Sequence, residues 1–600
     1  MRAYAGLLLI GCSVLLFLLV ERATVSDAQS DPWPMLLVSQ AILEHQTIQL
    51  DAYRGRAEMG FENNYRLIRH NNHDYYYFPL GSSLFSLPFV WVANWRGLDM
   101  AHHANNSLVQ SYISAWSCIL VILILYQIGR CYLRPIPSLV IAAISVLGSA
   151  IISTMGTAAW NLNFAVVFVT LGLWLVARAD SGQSESIHPH WLGAFLCAAY
   201  LSRPSTAAFI AVVLLYVLLK RRAEFFKVAL TAVCPLLLFF LFNWSEFGQW
   251  LPPYYSLRRL VVERPDSLGV RLYGLLFSPS RGFFTFSPFF LLVAAGALWL
   301  LRPARKHTLF LLALAWFALE LAIITRATRW WGGWSYGPRI MAEVIPAFIL
   351  LTILLWRELS PRLTAGRRYA LVVAYLTFGA VGIYINSVQG LYNLETRHWN
   401  SALAPNIDNH PEYLLNWRYP QFMASREALC RRHREFVDDQ LAQKRIELAP
   451  YRPGEVIVHS ARAGEAYFVG WAEPNAALRW SFCPSSAVLF SLPAIDTGRS
   501  YLLSIDLGSP GDDVVNDDVV TGDVVSIVLN DVPIGAWTLS GRPAAPATYS
   551  LPISGGWLKP GEVNELAFRF ADAATTDLQD KDGPRVSFVS LAINPQGEPP

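Results

Sequence analysis

Charged residues are scarce in this sequence. Only 15% of its 600 residues are Asp, Glu, Lys or Arg, whereas 54% are hydrophobic, and the mean hydropathy is +0.34. A soluble domain of this composition would have a largely apolar surface, so an ordinary soluble protein is excluded. The net charge of only +3 also gives no support to a nucleic-acid-binding surface.

Cysteines, glycine-rich phosphate loops and repeats are also few or missing. Of the seven cysteines, only Cys430 and Cys483 lie in the polar C-terminal region. If that region is outside the cell, these two either pair or remain free thiols, and their spacing does not decide between the alternatives. No glycine-rich loop that would bind phosphate is evident, which gives no support to the binding of a soluble nucleotide.

Long apolar runs are abundant instead. Runs of about 16 to 25 residues recur between Ala5 and Ser387, and each is long enough to cross a bilayer. The stretch from Trp191 to Arg222 has Arg203-Pro204 near its middle, where a charge and a helix breaker are costly in a single span. We therefore predict two short helices with Arg203 between them and a total of about eleven spans.

The basic clusters support this topology. With about eleven spans, the Arg and Lys clusters that follow the spans all fall on one side, which the positive-inside rule assigns to the cytoplasm. The predicted protein is a multi-pass plasma (inner) membrane protein with a cytoplasmic N-terminus. The large first loop, residues 21–107, and the C-terminal domain are predicted to be extracytoplasmic.

The composition changes after Val388. Residues 389–450 resemble a polar helical connector, and residues 451–600 contain short runs of β-character separated by Gly, Pro, Asn and Asp. Such spacing predicts a β-sandwich of jelly-roll type. The predicted domains are thus a transmembrane domain over 1–388, the connector, and the sandwich. The acidic run Asp512–Asp523 reads as a solvated loop, with a calcium site as the alternative.

Polar and charged residues collect where the spans end on the outer side. In the first loop these are Asp27 and Asp31, and later loops contribute Asn161, Asn163, Arg203, Arg281, Arg339 and Glu343. Arg339 and Glu343 are four residues apart, so a helix would place them on one face as a pair. Each residue alone fits an interfacial anchor, but the set on one side of the bilayer points to a functional site.

Transfer of a sugar from a lipid phosphate needs such a set. A carboxylate acts as general base on the incoming nucleophile, and arginines neutralise the departing phosphate. Aromatic faces hold the sugar, and the run TRWWGGWSYGPR (Thr328–Arg339) supplies Trp331, Trp334 and Tyr336. The alternative reading of that run is an aromatic belt at the membrane surface.

At this point the sequence resembles a family. The first-loop run SDAQSDPWPMLLVSQAILEHQTIQLDAY, together with HDYYYFPLGSSLFSLP, LSRPS, FNWSEFG, SPSRGFFTFSP and WWGGWSYGPR, is similar to GT-C superfamily glycosyltransferases. This class includes bacterial aminoarabinose transferases and protein O-mannosyltransferases. The resemblance covers residues 1–388. It implies a polyprenyl-phosphate sugar donor, an extracytoplasmic glycan, lipid or protein acceptor, and inversion at the anomeric carbon.

The resemblance also implies roles for individual residues. Asp31 matches the catalytic base, with Asp27 as the competitor, and Arg281, Arg339 and then Arg203 match donor-phosphate ligands. The adjacent Asp-Glu pair of the protein O-mannosyltransferases is absent, and GTAAWNLN has asparagines where some relatives have an acid. No cofactor or metal is therefore predicted, although HNNHD (residues 70–74) contains residue types that bind divalent metals.

Two other functions remain open. A transporter or flippase of lipid-linked sugars would show paired internal repeats and polar residues at the bilayer midplane. We see no internal repeat, and the polar residues gather on one side. A non-catalytic scaffold with a glycan-binding domain would tolerate loss of Asp31.

Overall fold

The computed structural model describes residues 2–255, 266–304, 308–460, 466–471, 479–493, 495–508, 524–538, 547–570 and 587–596. The acidic run Asp512–Asp523 lies outside these residues. The chain divides into two compact units, one of Met1–Arg397 with Leu414–Met423, and one of His398–Tyr413 with Ala424–Pro600. Residues of the predicted connector are therefore shared between the two units.

The first part of the chain is helical. In chain order its helices are α1 (Arg2–Glu21), α2 (Trp33–His45), α3 (Gly81–Trp95), α4 (His103–Tyr132), α5 (Pro135–Leu147), α6 (Ala150–Met155), α7 (Asn161–Asp180), α8 (Pro189–Ser202), α9 (Ala207–Lys220), α10 (Arg222–Phe247), α11 (Leu268–Phe277), α12 (Phe283–Phe286), α13 (Phe289–Ala304), α14 (Thr308–Ile324), α15 (Ile345–Leu359), α16 (Ala365–Ile383), α17 (Gly390–Tyr392) and α18 (Glu395–His398). Several begin with proline in the first turn, where its missing N–H costs no hydrogen bond.

Many of these helices have the length and composition of membrane spans. Six in the described part of the chain are long and apolar enough to cross a bilayer, and five more are apolar but shorter. This confirms the predicted helical membrane part, while the predicted number of spans stays a prediction. The predicted break at Arg203 is also present, because Arg203 is extended and one 3₁₀ turn, Pro204–Thr206, separates α8 from α9.

The first loop, residues 21–107, folds around α2. Residues Trp33 to Ala41 of this helix are all buried. The helix packs against α3 and is surrounded by apolar residues of the same loop. A short hairpin, β1 (Leu67–His70) and β2 (His73–Tyr76), turns at Asn71 and Asn72. Both asparagines have positive φ, which suits a tight two-residue hairpin turn.

A buried amide joins several helices of the first unit. The helix α16 continues into one π-helical segment, Tyr384–Gln389, which contains Asn386. The Asn386 side chain donates to the carbonyls of Gly148, Phe286 and Gly382 and accepts a hydrogen bond from Ser153. The irregular backbone is thus satisfied by a side chain that is itself fully paired, as a membrane interior requires.

In its described residues, the second unit combines one long helix with two antiparallel sheets. Its elements are α19 (Arg426–Ala442), β3 (Val456–Val458), β4 (Tyr467–Val469), β5 (Arg479–Trp480), β6 (Ser485–Ser491), β7 (Ser500–Gly508), β8 (Val524–Leu529), β9 (Val532–Thr538), β10 (Ala547–Ser554), β11 (Val563–Phe570) and β12 (Ser587–Pro595). One sheet has the order β10-β7-β12-β3 with β5 beside β12, and the other has the order β4-β6-β11-β8-β9.

Alternating residues of these strands form one core. In β7, Tyr501, Leu503 and Ile505 are buried, and they share a cluster with Phe490 of β6 and Phe568 of β11. Period-two alternation places such residues on one face of each strand. The predicted β-rich domain is therefore present, and the jelly-roll assignment stays a prediction.

The open question about the two polar-region cysteines has an answer. Cys430 of α19 and Cys483 form a disulfide across 53 residues. A bond that closes a loop of this length restricts the unfolded chain and typically contributes about 2–4 kcal/mol. Its presence favours an oxidising compartment for this unit.

We expect the Cys430→Ser/Cys483→Ser variant to lower the unfolding temperature of the second unit. The cause is the larger entropy of the unfolded chain once the crosslink is gone, with a loss of about 2–4 kcal/mol. Thermal unfolding of the full-length protein with and without reductant measures it. If wild type under reductant and the double variant both unfold like the oxidised wild type, the bond contributes nothing to stability.

A buried histidine makes the second unit sensitive to acid. Burial, with a smaller contribution from neighbouring arginines, lowers the pKa of His433 from 6.5 to about 4, although the hydrogen bond that its Nδ1 donates to the Ala404 carbonyl at 2.8 Å opposes the shift. Between pH 6.5 and 4 the unfolded state binds a proton that the folded state does not. Stability is therefore lost as the pH falls through this window, by about 3 kcal/mol when complete.

This loss is measurable as hydrogen exchange of the α19 peptide in the full-length protein, corrected for intrinsic rates. We expect protection to decrease from pH 6.5 to pH 4 in wild type. His433→Asn keeps a donor for the carbonyl and removes the titration, so its profile should be flatter. Parallel profiles for both proteins would rule out His433 as the source.

Candidate functional site

Asp27 lies in the segment that follows α1, and its carboxylate is fully engaged. Arg397 donates to both oxygens, from Nε at 2.9 Å and from a terminal nitrogen at 2.7 Å. The Thr157 hydroxyl donates to the same carboxylate at 2.8 Å, and the Asp27 amide donates to the Thr157 carbonyl. This bidentate pair neutralises Asp27 and fixes the segment in place.

Asp31 is held much less tightly. Its carboxylate lies 3.7 Å from a terminal nitrogen of Arg339 and is 23% exposed. Its main-chain carbonyl accepts a hydrogen bond from the Tyr76 hydroxyl at 3.0 Å, and this bond fixes the backbone without involving the carboxylate. Burial, and to a smaller degree Asp31 itself, raises the pKa of Tyr76 well above its ordinary value, so Tyr76 remains a donor.

Arg339 connects Asp31 to the aromatic loop. Its guanidinium stacks over the Trp160 ring at 4.5 Å and donates to the Gly332 carbonyl at 2.8 Å. Gly332 and Gly333 both have positive φ, a conformation that residues with a Cβ rarely adopt. The sequence WWGGW therefore turns sharply enough to present a carbonyl to Arg339. The arginine retains donors that face the partly exposed carboxylate.

Arg281 has a different surrounding from the one predicted. It is only 1% exposed, and its guanidinium donates to the carbonyls of Trp331 and Gly333 and to the Gln421 side chain. These hydrogen bonds fix the conformation of the aromatic loop, Thr328–Arg339, from its buried side. We therefore do not retain Arg281 as a ligand of the donor phosphate, and we assign it to shaping the loop.

The aromatic residues of the loop divide into two kinds. Trp331 and Tyr336 are buried, and the Tyr336 hydroxyl donates to the Ile385 carbonyl at 2.7 Å. Trp334 is 57% exposed and presents a large ring at the surface of the unit. Among the three predicted sugar contacts, Trp334 is the one whose face is accessible.

The predicted pair of Arg339 and Glu343 does not form. Residues Arg339–Val344 are a 3₁₀ helix, with three residues per turn, so positions four apart do not share a face. Glu343 instead faces Arg203, with 3.5 Å between Nε and Oε2. Our prediction of an Arg339–Glu343 pair was wrong because it assumed an α-helix at this position.

A second carboxyl group joins Glu343. Glu320 of α14 is fully buried and interacts with both Glu343 and Arg203. Apart from each other and Arg203, the two side chains have no polar partner in the described part of the chain. Tyr255 also lies beside Arg203. Arg203 thus lies between two buried acidic side chains at the break between α8 and α9.

The two predicted asparagines lie at the start of α7. Asn163 is fully buried and donates to the Met155 carbonyl at 3.0 Å, so it supports the turn before the helix. Asn161 is next to the Tyr76 hydroxyl, and Tyr76 in turn contacts Asp31. Asn161 is therefore connected to Asp31 through Tyr76, whereas Asn163 bonds to Met155.

The HNNHD run is occupied with structural contacts. His73 lies 2.9 Å from Asp51, and Asp74 pairs with Arg54. Within the described residues, no group of three or more His, Cys, Asp or Glu side chains is arranged to hold a metal ion.

Several residues of this region were not predicted from the sequence. Arg397 and Gln421 were missed because they lie after the last predicted span, in the region that we took for a connector. Glu320 had a signal that we did not use, since an ionisable residue within an apolar span is a functional candidate by default. No local pattern pointed to Thr157.

Comparisons with known proteins give only a distant similarity. No protein-family model and no curated protein matches the chain. Among solved structures it is similar to the Archaeoglobus fulgidus oligosaccharyltransferase tethered with an acceptor peptide, with a TM-score of 0.42 and 13% identity over 68% of this chain and 59% of that chain. The apo form gives a TM-score of 0.38 and 14% identity over 69% and 60%.

A third structure is the archaeal oligosaccharyltransferase AglB from Archaeoglobus fulgidus in complex with an inhibitory peptide and a dolichol-phosphate. It gives a TM-score of 0.35 and 12% identity over 69% of this chain and 60% of that chain. The chain thus spans about 60% of the length of these structures. All three TM-scores are below 0.5, so the similarity is distant.

Proposed function

We propose that the chain is an integral membrane glycosyltransferase that moves a sugar, a hexose or a pentose, from a polyprenyl-phosphate donor to an extracytoplasmic acceptor with inversion. The observation that supports it best is the contrast between two aspartates. Asp27 is neutralised by Arg397, whereas the Asp31 carboxylate is partly exposed beside Arg339. A carboxylate that can act as a base and a guanidinium that can bind phosphate are thus adjacent.

In this reaction Asp31 accepts the proton of the acceptor hydroxyl or amine. The nucleophile attacks the anomeric carbon as the bond from that carbon to the phosphate oxygen breaks. The electron pair leaves with the polyprenyl phosphate, so negative charge develops on the phosphate. Arg339, which has a planar guanidinium suited to phosphate, stabilises this charge, and Arg203 is the second ligand.

The remaining predicted residues have supporting roles in this proposal. Trp334 offers an exposed ring for the sugar, and Trp331, Tyr336 and Arg281 hold the loop that carries it. The second unit, placed outside the cell, is proposed to hold the acceptor glycan. The donor lipid enters from the bilayer, so no soluble cofactor is involved.

Loss of the chain from its native host tests the proposal. We expect one sugar to disappear from an envelope glycan, lipid or protein while its polyprenyl-phosphate donor accumulates, and re-expression to reverse both. Purified full-length chain incubated with that lipid-linked sugar and the deficient envelope fraction should release polyprenyl phosphate. A transporter would restore the envelope sugar in cells and release no polyprenyl phosphate in the purified reaction, which would overturn the proposal.

A further inference from the structure

The first unit contains an apolar groove far from the aspartates in sequence. It is formed by α5, α13, α15 and α16, encloses about 230 Å³, and is lined by residues such as Val140, Val293, Leu355 and Leu371. None of the side chains that line it is charged, and the Thr352 hydroxyl in its wall is satisfied by the Phe348 carbonyl. A groove of this kind within a bilayer accepts hydrocarbon.

Basic residues lie at one end of the groove. On α16 the lining residues Leu371, Val372, Tyr375 and Leu376 share one face, and one helical turn earlier that face carries Arg367 and Arg368. Both arginines are exposed. The periodicity therefore places two positive charges directly above the apolar wall.

The neighbouring helices add a third charge at the same end. Arg134 is exposed and immediately precedes α5, whose first turn lines the groove. Arg362, after α15, pairs with Glu358 at 3.0 Å and so contributes little net charge. In the described part of the chain, no carboxylate pairs with Arg134, Arg367 or Arg368 within 4.0 Å. The groove thus combines an apolar wall with uncompensated positive charge at one mouth.

We propose that this groove binds one anionic phospholipid of the inner leaflet. Its acyl chain lies along α5, α15 and α16, and its phosphate contacts Arg134, Arg367 and Arg368. Only a molecule that joins hydrocarbon to negative charge uses both features, and basic pockets between helices on the cytoplasmic side are suited to such headgroups. The basic ends of these helices are on the side that the positive-inside rule assigns to the cytoplasm. This site is separate from the proposed reaction, which is on the outer side.

The test uses full-length protein in nanodiscs of equal parts phosphatidylglycerol and phosphatidylcholine. After release into detergent, native mass spectrometry counts each lipid that stays bound. We expect wild type to retain one phosphatidylglycerol in preference to phosphatidylcholine. Arg367→Gln/Arg368→Gln should reduce that preference about tenfold to thirtyfold. The matched control, Lys220→Gln/Lys227→Gln, removes two exposed charges from the same side away from the groove and should retain it.

A second variant tests the wall without changing charge. Leu355→Trp fills the groove and should reduce the binding of both lipids, with folding verified by thermal unfolding. Equal retention of the two lipids by wild type would overturn the proposal, and so would an unchanged preference in the arginine variant. A lipid-free dimer whose contact is broken by Leu355→Trp would also overturn it, because a second copy of the chain would then cover the groove.

Discussion

Asp31→Asn is expected to reduce the rate of sugar transfer by about 10²- to 10⁴-fold, with donor binding little changed. The substitution keeps the size of the side chain but removes its negative charge and with it proton acceptance, the function that the base supplies. The measurement is release of polyprenyl phosphate by purified protein with the host's lipid-linked sugar. Membrane level and thermal unfolding should be close to wild type, because the carboxylate is partly exposed and has only a 3.7 Å contact.

Asp27→Asn is the matched control, one short turn earlier in the chain. It leaves Arg397 without its bidentate partner, so we expect less folded protein in the membrane and a lower unfolding temperature. The folded fraction should retain more activity than Asp31→Asn. If Asp31→Asn keeps more than about a tenth of the wild-type rate while folded Asp27→Asn is inactive, Asp27 is the base. A tenfold loss of rate is the threshold because the loss of a general base costs at least about a hundredfold.

The second large effect is expected for Arg203→Gln. Removing this arginine leaves Glu343 and Glu320 facing each other in a buried site without a positive charge. An unbalanced buried charge typically costs about 3–5 kcal/mol, so we expect a strong decrease in folded protein. Thermal unfolding in detergent measures the change, and Arg96→Gln, at an exposed arginine, should be neutral.

A paired variant separates the structural from the binding role of Arg203. Arg203→Gln/Glu343→Gln removes one charge of each sign, so we expect stability to recover while the KM for the donor stays raised. Full recovery of activity would show that Arg203 only balances the acids. No recovery of stability would show that the ion pair is not the cause of the defect.

Local patterns in the sequence predicted a good part of this fold. Proline after Arg203 and the charge of Arg203 itself were enough to predict the break between α8 and α9. Alternation in runs such as SYLLSIDLG predicted strands, because a period of two places one face in a core. These features depend on neighbours in the chain, which one sequence contains in full.

The parts that the sequence left open or did not predict depend on distant partners. Asp27 and Asp31 are alike in sequence, and only Arg397, which is 370 residues away from Asp27, distinguishes them. In the sequence Arg281 resembles any arginine near a membrane surface. Its structural role depends on the carbonyls of Trp331 and Gly333, which are about 50 residues away. The helix type at Arg339 decided its partner, and a 3₁₀ segment within an apolar run has no strong local signal. Long-range pairing and helix type were thus the limits.

The contact between Asp27 and Arg397 also has a consequence for biosynthesis. The segment that carries Asp27 and Asp31 leaves the ribosome long before Arg397 is synthesised. The hydrogen bond from the Val25 amide to the Leu391 carbonyl likewise forms only after Leu391 has been synthesised. During most of translation the segment that carries Asp31 therefore lacks its anchors. The proposed catalytic centre becomes ordered only after the last apolar helix has been inserted, so incomplete chains in the membrane would be unable to consume the lipid-linked donor.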